Sequence, residues 1–304
     1  MQTNGDASPK SRLVVVIPAY NEERFIGSVV LKVRQFVETV IVVDDGSTDS
    51  TREIAQAAGA VVIVHDQNSG KGRALNTGFS KAREYDPEVV VTLDGDWQHM
   101  PEQIEQIAAP ILKGDADIVV GSRYLSGESD VPAARVLGHW GFNALTNILS
   151  GVSLTDSQSG YRAFSPRAVA ELSFSSRSFS VESEMQFLAH SHEYKVVEVP
   201  IVIRYNDKPK RSVLKHGFTV LDGLLVLVVQ HRPLLFFSIP GVIALLIGML
   251  AGIGVIMSYN ASQTLAMGSA LLFVLFMLMG LFFIFTGIIL WALRALIEPI
   301  QPNR

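Results

Sequence analysis

The sequence predicts an α/β domain with a mostly parallel β-sheet, followed by a hairpin of two membrane-spanning helices. The first observation is that short runs rich in β-branched residues alternate with helical stretches over residues 13–150. Near-continuous apolar strands separated by helices are typical of a parallel sheet that is covered by helices on both faces. The second observation is a stretch of 61 residues, 233–293, that contains no Asp, Glu, Lys or Arg.

Charge is distributed unevenly along the 304 residues. Residues 233–304 contain three charged side chains and residues 1–232 contain 51, which is a normal fraction for a globular domain. This division excludes a fully soluble enzyme, a disordered protein and a disulfide-stabilised scaffold. The chain has no Cys, which excludes thiolate zinc sites and cysteine nucleophiles. A net charge of −4 gives no reason to expect nucleic acid as a partner.

Five strands are predicted in the first part of the chain, and each is followed by a helical stretch. The predicted strands cover residues 13–17, 40–43, 60–64, 89–93 and 117–120. The helices are expected to begin near residues 22, 49, 70, 101 and 134. Because ligands of open parallel sheets bind beyond the carboxyl ends of the strands, the segments that follow the strands should contain the binding site.

These segments are rich in carboxylates, glycines and cations. In chain order they read PAYNEE at 18–23, DDGSTD at 44–49, HDQN at 65–68, GKGRALNTG at 70–78, DGDWQH at 94–99 and GSRY at 121–124. Helix capping explains some of these residues, such as Ser47 and Asp49. Capping does not explain why carboxylates, glycines or cations follow all five strands, so the pattern predicts a ligand site at the carboxyl ends of the strands.

Asp94 and Asp96 give the strongest chemical indication. Two carboxylates that flank Gly95 at the end of a buried strand can approach one hard cation together. Mg²⁺ or Mn²⁺ bound in this way keeps its other positions for water and substrate phosphates. The sequence contains no P-loop, but Gly70-Lys71-Gly72 at a helix start could offer backbone donors and a cation to a phosphate.

The motifs together resemble glycosyltransferase family 2, and most closely its polyprenyl-phosphate (dolichol-phosphate) glycosyltransferases. The resemblance covers about residues 12–215, and it includes the strand-end segments above and DSQSGYRAF at 156–164. It implies the A-type glycosyltransferase fold, in which a Rossmann-like sheet binds a nucleotide-sugar. The Gln-x-x-Arg-Trp signature of processive polysaccharide synthases is absent, because no Trp follows an Arg.

The resemblance also implies roles for residues on the donor side. Residues expected to bind the nucleotide are Pro18, Tyr20, Glu22, Asp45, which would contact the base or ribose, and Lys71. Residues expected to hold the divalent metal, Mg²⁺ or Mn²⁺, and the diphosphate are Asp94, Asp96 and Gln98. Of these, Asp94 and Asp96 are expected to be catalytic, together with Arg123.

On the acceptor side, the resemblance places Arg123 at the phosphates where donor and acceptor meet, exposed in a cleft. Its removal should therefore reduce turnover without affecting folding. Arg135 resembles a second arginine of that site. The family's usual basic run after the V-P-I strand is altered here, and Arg204 and Arg211 are among its substitute cations, with Lys208 and Lys210. His139 also departs from the family's usual Ser.

Five further residues have roles that the sequence leaves partly open. Asp156, Gly160 and Arg162 match a family segment whose role is partly architectural. Glu182 and Glu184, in VESEM, are explained equally well by contact with the acceptor and by structural capping.

The expected organisation is a flexible N-terminus at 1–11, a cytoplasmic catalytic domain at 12–212 and a juxtamembrane segment at 213–232. The last segment is interpreted either as an interfacial helix or as a core helix. Spans at about 234–257 and 266–291 should flank a polar turn at 258–264, with a cytoplasmic tail at 294–304. Six Lys and Arg residues in 204–232, and none in the turn, place the catalytic domain on the cytoplasmic side.

The expected activity is inverting transfer of one sugar from a UDP- or GDP-linked donor to a polyprenyl or dolichyl phosphate in the lipid bilayer. Two alternatives remain open. The acceptor could be another lipid or a glycan, or the chain could be a catalytically silent subunit with a transferase fold. The sequence also leaves open whether the chain forms a homo-oligomer.

Overall fold

The computed structural model describes residues 12–125, 133–175, 181–203 and 233–297. The chain divides into two compact units, Met1–Leu224 and Leu225–Arg304. The predicted N-terminal segment 1–11, the juxtamembrane segment 213–232 and the tail from 298 onwards lie outside the described residues.

The first unit alternates strands and helices as the sequence predicts. Its strands are β1 (Leu13–Ala19), β2 (Thr39–Asp44), β3 (Val61–Val64), β4 (Val89–Thr92), β5 (Ile118–Ser122), β6 (Arg162–Phe164) and β7 (Val196–Pro200). Its helices are α1 (Ile26–Val33), α2 (Thr51–Ala57), α3 (Lys71–Arg83), α4 (Ile104–Leu112), α5 (Ala133–Ser150), α6 (Pro166–Glu171) and α7 (Val181–Ser191). A 3-10 turn, Pro101–Gln103, precedes α4.

The strands form one sheet in the order β3-β2-β1-β4-β6-β5-β7. All neighbouring pairs are parallel except the two that involve β6, which runs antiparallel to β4 and to β5. The prediction of a mostly parallel sheet is therefore confirmed. The short antiparallel strand β6 was not anticipated.

Helices cover both faces of the sheet, because successive side chains of a strand point to opposite faces. On one face, Val15 and Ile17 of β1 belong to a buried cluster with residues of α1, α2 and α4. On the other face, Val14 and Val16 of the same strand pack with α3, α6 and α7. Helix α3 lies so close to β1 that a Cβ on Gly78 would be 2.3 Å from Val16 Cγ1. This packing fixes the N-terminus of α3 relative to the strand ends.

The second unit consists of α8 (Pro233–Ser262) and α9 (Met267–Ile297), both long and apolar enough to cross a membrane. The helices approach closely at glycines, since a Cβ on Gly280 would lie 2.7 Å from the carbonyl oxygen of Gly241. The turn is shorter than predicted. Residues 258–262 continue α8, where the Ser262 hydroxyl donates to the carbonyl oxygen of Ser258 and so satisfies its polar group within the helix.

Candidate active site

The candidate site lies at the carboxyl ends of β1 and β4, which are neighbours in the sheet. From β1 the chain passes to β2 and β3 on one side, whereas β4 and the later strands lie on the other side. This divergence is the topological switch point at which open α/β sheets bind ligands. The segments after β1, β2 and β4, which the sequence singled out, therefore converge here.

The loops after β1 and β2 are joined by reciprocal hydrogen bonds. The Asn21 backbone N–H donates to Ser47 Oγ at 2.9 Å, and the Thr48 N–H donates to Asn21 Oδ1 at 2.8 Å. The Glu22 N–H donates to Thr51 Oγ1 at 2.8 Å. Asn21 has a φ of 55°, a left-handed conformation that Asn tolerates better than most residues. The two loops thus form one rigid ledge beside the strand ends.

The predicted nucleotide-binding residues Pro18 and Tyr20 lie at the start of this ledge. Pro18 is within β1, opposite Val43 of β2. Tyr20 immediately follows the strand, and it is 42% exposed although it is a large aromatic residue. An exposed aromatic ring at a strand end is available to stack on a planar base, so its nucleotide role stays a prediction with a suitable geometry.

Asp45 has a different environment from the one expected, because its carboxylate is satisfied by the protein. It is 4% exposed, and Oδ2 accepts from the Gly70 N–H at 2.7 Å. Its Oδ1 lies 2.7 Å from His65 Nδ1, and both oxygens also accept from the Ser69 N–H. Asp45 therefore fixes the turn that begins α3. Its contact with a base or ribose stays a prediction.

Lys71, the first residue of α3, joins two carboxylates at the centre of the site. Its Nζ lies 2.6 Å from Asp94 Oδ1 and 2.7 Å from Glu182 Oε1. Burial lowers the pKa of Lys71, but attraction by Asp94 and Glu182 outweighs it and holds the pKa above its ordinary value. Burial raises the pKa of Asp94, yet the positive charge of Lys71 brings that pKa below its usual range. The pair is therefore charged at neutral pH.

Gly160 forms the wall beside this ion pair. A Cβ at this position would lie 2.7 Å from Asp94 Oδ2 and 2.9 Å from Lys71 Nζ. Its carbonyl oxygen accepts a hydrogen bond from Thr92 Oγ1 at 3.0 Å, which ties the wall to β4. Glycine is thus required here by space, and the prediction of an architectural role for Gly160 agrees with this contact.

Asp96 is held by Gln98, which follows it in the same loop. Gln98 Nε2 donates to Asp96 Oδ2 at 2.7 Å, and the Gln98 N–H donates to Oδ1 at 3.2 Å. Burial, together with the negative charges of Asp94 and Glu22, raises the pKa of Asp96 to about 6. Trp97, between them, has a φ of 64°, which is strained for an aromatic residue and common at functional loops.

His99 stabilises the loop that contains Asp94 and Asp96. Its Nδ1 accepts a hydrogen bond from the Asp94 backbone N–H at 3.2 Å, and its ring lies 5.0 Å from that of Tyr161. Burial lowers the pKa of His99 to about 4, so the imidazole is neutral and carries its proton on Nε2. The sequence placed His99 next to the motif, and the structure shows that it orients the Asp94 backbone.

The donor set fits a divalent cation that is shared with a substrate. Asp94 and Asp96 offer hard oxygen ligands, and their mutual repulsion, visible in the raised pKa of Asp96, is relieved by positive charge. Among the described residues, no group of three or more His, Cys, Asp and Glu side chains could enclose an ion. The residues therefore suit a cation such as Mg²⁺ or Mn²⁺ that takes its remaining ligands from a diphosphate and water.

The expectation that Arg123 is exposed in a cleft is wrong. Its side chain is 13% exposed and forms a bidentate pair with Asp156, with Nε 2.5 Å from Oδ2 and Nη2 2.6 Å from Oδ1. Asp156 is fully buried, and it also accepts from the Arg123 N–H at 3.1 Å. A buried carboxylate needs such a partner, so Arg123 is tied into the fold. Its positive charge still acts on Asp94, whose pKa it lowers.

Sequence reasoning missed the polar network that holds Asp156. Glu198 of β7 accepts from the Thr155 and Asp156 N–H groups, and Asn143 Oδ1 of α5 accepts from the Ser157 N–H at 3.1 Å. Asn147, one turn further along α5, exchanges two hydrogen bonds with Leu154. The two Asn residues at i and i+4 of α5 were a signal that could have identified this face.

The structure shows contacts for residues whose roles the sequence left open. Glu184 accepts from the N–H and hydroxyl of Ser175, so it has a structural capping contact. Glu182, in the same turn of α7, instead contacts Lys71. Arg162 is buried in β6 and donates to the carbonyl oxygens of Ser157 and Ser159, which confirms its architectural role.

Three predicted acceptor-side residues are not placed by side-chain contacts. Arg204 and Arg211 lie outside the described residues. Arg135 falls in the first turn of α5, where the structure describes the backbone alone. Their roles stay predictions.

Comparison with known proteins gives a consistent result. A family model described as "Glycosyl transferase family 2" matches residues 14–173. UDP-N-acetylglucosamine–dolichyl-phosphate N-acetylglucosaminyltransferase of Methanococcus voltae is 34% identical over 71% of this chain and 95% of its own length. Undecaprenyl-phosphate mannosyltransferase of Micrococcus luteus is 32% identical over 62% of this chain and 82% of its own.

A solved structure shows the same fold. Glucosyl-3-phosphoglycerate synthase from Mycobacterium tuberculosis, in complex with Mn²⁺, uridine diphosphate and phosphoglyceric acid, superposes with a TM-score of 0.56. The match covers 72% of this chain and 78% of that chain at 23% identity. The first unit therefore has the A-type transferase fold that the sequence predicts.

Proposed function

The chain belongs to glycosyltransferase family 2, and on this premise we propose that it transfers one sugar from a UDP- or GDP-linked donor to a polyprenyl or dolichyl phosphate. The observation that carries the proposal is the Asp94/Asp96 pair at the switch point. Its carboxylates are partly buried, and the pKa of Asp96 is raised to about 6 by burial and by Asp94, which leaves the pair in need of a cation. A nucleotide diphosphate delivers such a cation together with the sugar.

The residues of the chain have distinct tasks in this proposal. A bound Mg²⁺ or Mn²⁺ supplies Lewis-acid stabilisation of the departing diphosphate. Asp94 and Asp96 orient the donor, and Tyr20 and the ledge after β1 and β2 receive its nucleoside. Lys71 adds a positive charge to the site, where it pairs with Asp94 and Glu182. Positioning and electrostatic stabilisation then supply most of the rate.

The proposed nucleophile is a phosphate oxygen, which is ionised at neutral pH and requires no strong general base. The site agrees with this requirement. His99 is buried and neutral, and its Nδ1 is engaged by the Asp94 N–H, so it is not placed as a base. In-line attack inverts the anomeric centre, and an α-linked donor gives a β-linked lipid-phosphate sugar. Arg123 is proposed to contribute its charge from the Asp156 pair.

The second unit supports a lipid acceptor. A polyprenyl chain dissolves in the bilayer and leaves its phosphate at the surface, where an enzyme anchored by two apolar helices can meet it. The relatives described above carry names that specify dolichyl or undecaprenyl phosphate as the substrate. We therefore propose an integral membrane protein with its catalytic unit on the cytoplasmic face, as the distribution of Lys and Arg predicts.

The test is a donor panel with the purified full chain in detergent, a polyprenyl phosphate, and Mg²⁺ or Mn²⁺. Labelled UDP- and GDP-sugars are supplied separately, and label is measured in mild-acid-labile lipid. Transfer from one donor that is abolished by EDTA and by Asp96→Asn supports the proposal. Asp115→Asn is the matched control, because Asp115 is an exposed carboxylate between α4 and β5, at the amino end of that strand and away from the carboxyl ends that form the site. Full activity of Asp96→Asn would refute the metal assignment, and no consumption of any donor would favour a silent subunit.

A further inference from the structure

In this structure the ammonium of Lys71 contacts one carboxylate oxygen of Asp94, which belongs to the Asp94-x-Asp96 motif that is proposed to bind the metal. Nζ lies 2.6 Å from Asp94 Oδ1, and a second carboxylate, Glu182, holds the same Nζ at 2.7 Å. Glu182 comes from the first turn of α7 and has no place in the metal motif. The Lys71 ammonium, a cation that belongs to the chain, therefore bridges Asp94 and the buried carboxylate of Glu182.

We propose that Lys71 is a built-in stand-in for the divalent cation at Asp94, and that Glu182 is the anchor that retains the ammonium when the cation binds. Two cations repel each other strongly at contact distance, so an ammonium and a metal ion compete for the same carboxylate oxygen. The inference rests on the proposed function in one respect, because it takes Asp94 as a ligand of the cation.

Glu182 is suited to receive the displaced ammonium. The residue is 4% exposed, and among the described residues its Oε2 has no hydrogen-bond partner. A carboxylate with one unused buried oxygen can accept a second N–H from an ammonium, which has three donors. Burial lowers the pKa of the Arg162 guanidinium, and the carboxylate of Glu182 opposes this shift, so the two groups attract each other. The positive charge thus stays in the site after Asp94 is released.

The backbone around Lys71 is fixed, so the exchange is confined to its side chain. Asp45 holds the Gly70 N–H at 2.7 Å, and Lys71 is the next residue. Gly160 closes the other side, because a Cβ there would lie 2.9 Å from Nζ. The exchange therefore moves the position of a positive charge within the site.

The test is a titration of the purified full chain with Mn²⁺ alone, without nucleotide, followed by the loss of the free-ion electron paramagnetic resonance signal. Lys71→Met should tighten Mn²⁺ binding about tenfold, since it removes a unit charge at contact distance from the ligand. Glu182→Gln should weaken binding, because it leaves Lys71 with Asp94 as its carboxylate partner. In the Lys71→Met background, the effect of Glu182→Gln should shrink to less than about twofold, since it acts through Lys71.

Two control variants distinguish the proposed exchange at Lys71 from a general loss of structure. Lys81→Met removes a partly exposed lysine of α3 that pairs with Glu84, and Glu184→Gln removes a buried carboxylate of α7 two residues after Glu182. Both should leave Mn²⁺ affinity unchanged. If Lys71→Met fails to fold because Glu182 is left without its partner, the double variant replaces both and should bind Mn²⁺ at least as tightly as the native chain.

The decisive result is that Lys71→Met and Glu182→Gln change Mn²⁺ affinity in opposite directions. Unchanged or weaker Mn²⁺ binding in Lys71→Met, or equal losses from Glu182→Gln in both backgrounds, would overturn the inference. The proposed function fails separately, through the donor panel. If the two variants change Mn²⁺ affinity in opposite directions but the native chain transfers no sugar, the inference about Lys71 stands and the proposed function fails. If the native chain is active but the variants do not change Mn²⁺ affinity in this way, the proposed function stands and the inference fails.

Discussion

Replacing Arg123 by alanine is expected to destabilise the first unit, although the sequence suggested that it would affect turnover alone. Asp156 is fully buried, and it would lose two charge-assisted hydrogen bonds, at 2.5 and 2.6 Å. It would keep one bond, from the backbone N–H of residue 123. Removing one member of a buried ion pair costs about 3–5 kcal/mol, and the remaining bond favours the lower end of this range.

The assay is thermal unfolding of the detergent-solubilised chain, without nucleotide, at a fixed scan rate. A loss of about 3 kcal/mol corresponds to a decrease in Tm of roughly 6 to 12 °C for a domain of this size. Arg12→Ala is the matched control, since Arg12 forms an exposed pair with Asp86 that is worth less than about 1 kcal/mol. Asp156→Asn added to Arg123→Ala should recover part of the loss, because it removes the unpaired buried charge. A Tm of Arg123→Ala within about 2 °C of the native value would refute this reasoning.

Three further predictions concern the donor site and its support. Binding of a UDP- or GDP-sugar with Mn²⁺ should weaken about tenfold per pH unit below about 6. The reason is that the pKa of Asp96 is raised, so that a proton competes with the cation for this carboxylate. Calorimetry between pH 5 and 8 that finds a constant affinity would contradict this prediction. Gly160→Ala should reduce kcat by at least about tenfold with a small change in Tm, because the new Cβ would displace the carboxylate of Asp94, a proposed ligand of the cation. A native kcat would contradict this reasoning. Glu198→Gln should lower the free energy of unfolding by about 1–3 kcal/mol, since it weakens the acceptor for two backbone N–H groups beside Asp156, and an unchanged denaturant midpoint would argue against that network.

Much of the fold could be predicted because its signals are local. The strands up to β5 are apolar runs bounded by turn residues, and their predicted bounds agree with the observed ones within two residues at each end. The Asp94-x-Asp96 motif follows one of these runs, and the switch-point rule then placed it in the site. β6 was missed for a physical reason. It has three residues, begins with a buried Arg, and shows no alternation that could identify a strand.

The contacts within the site could not be read from the sequence, since they join residues that are distant along the chain. Glu182 and Glu184 are two positions apart on one helix, yet one contacts Lys71 and the other accepts from Ser175. Arg123 was expected to be exposed because arginines in ligand motifs often bind phosphate. The buried carboxylate of Asp156 determines its position, and the family segment that contains Asp156 did not indicate that this residue pairs with Arg123.

The polyprenyl phosphate acceptor is the central claim, and an acceptor panel tests it most directly. The purified chain, its preferred labelled donor and Mn²⁺ are incubated separately with a polyprenyl phosphate, a diacylglycerol and a sphingolipid in detergent. We expect label in lipid that is released by mild acid, with the polyprenyl phosphate as the acceptor that supports transfer. Label in an acid-stable glycolipid, with none in lipid phosphate, would contradict the claim and assign the chain to another lipid acceptor.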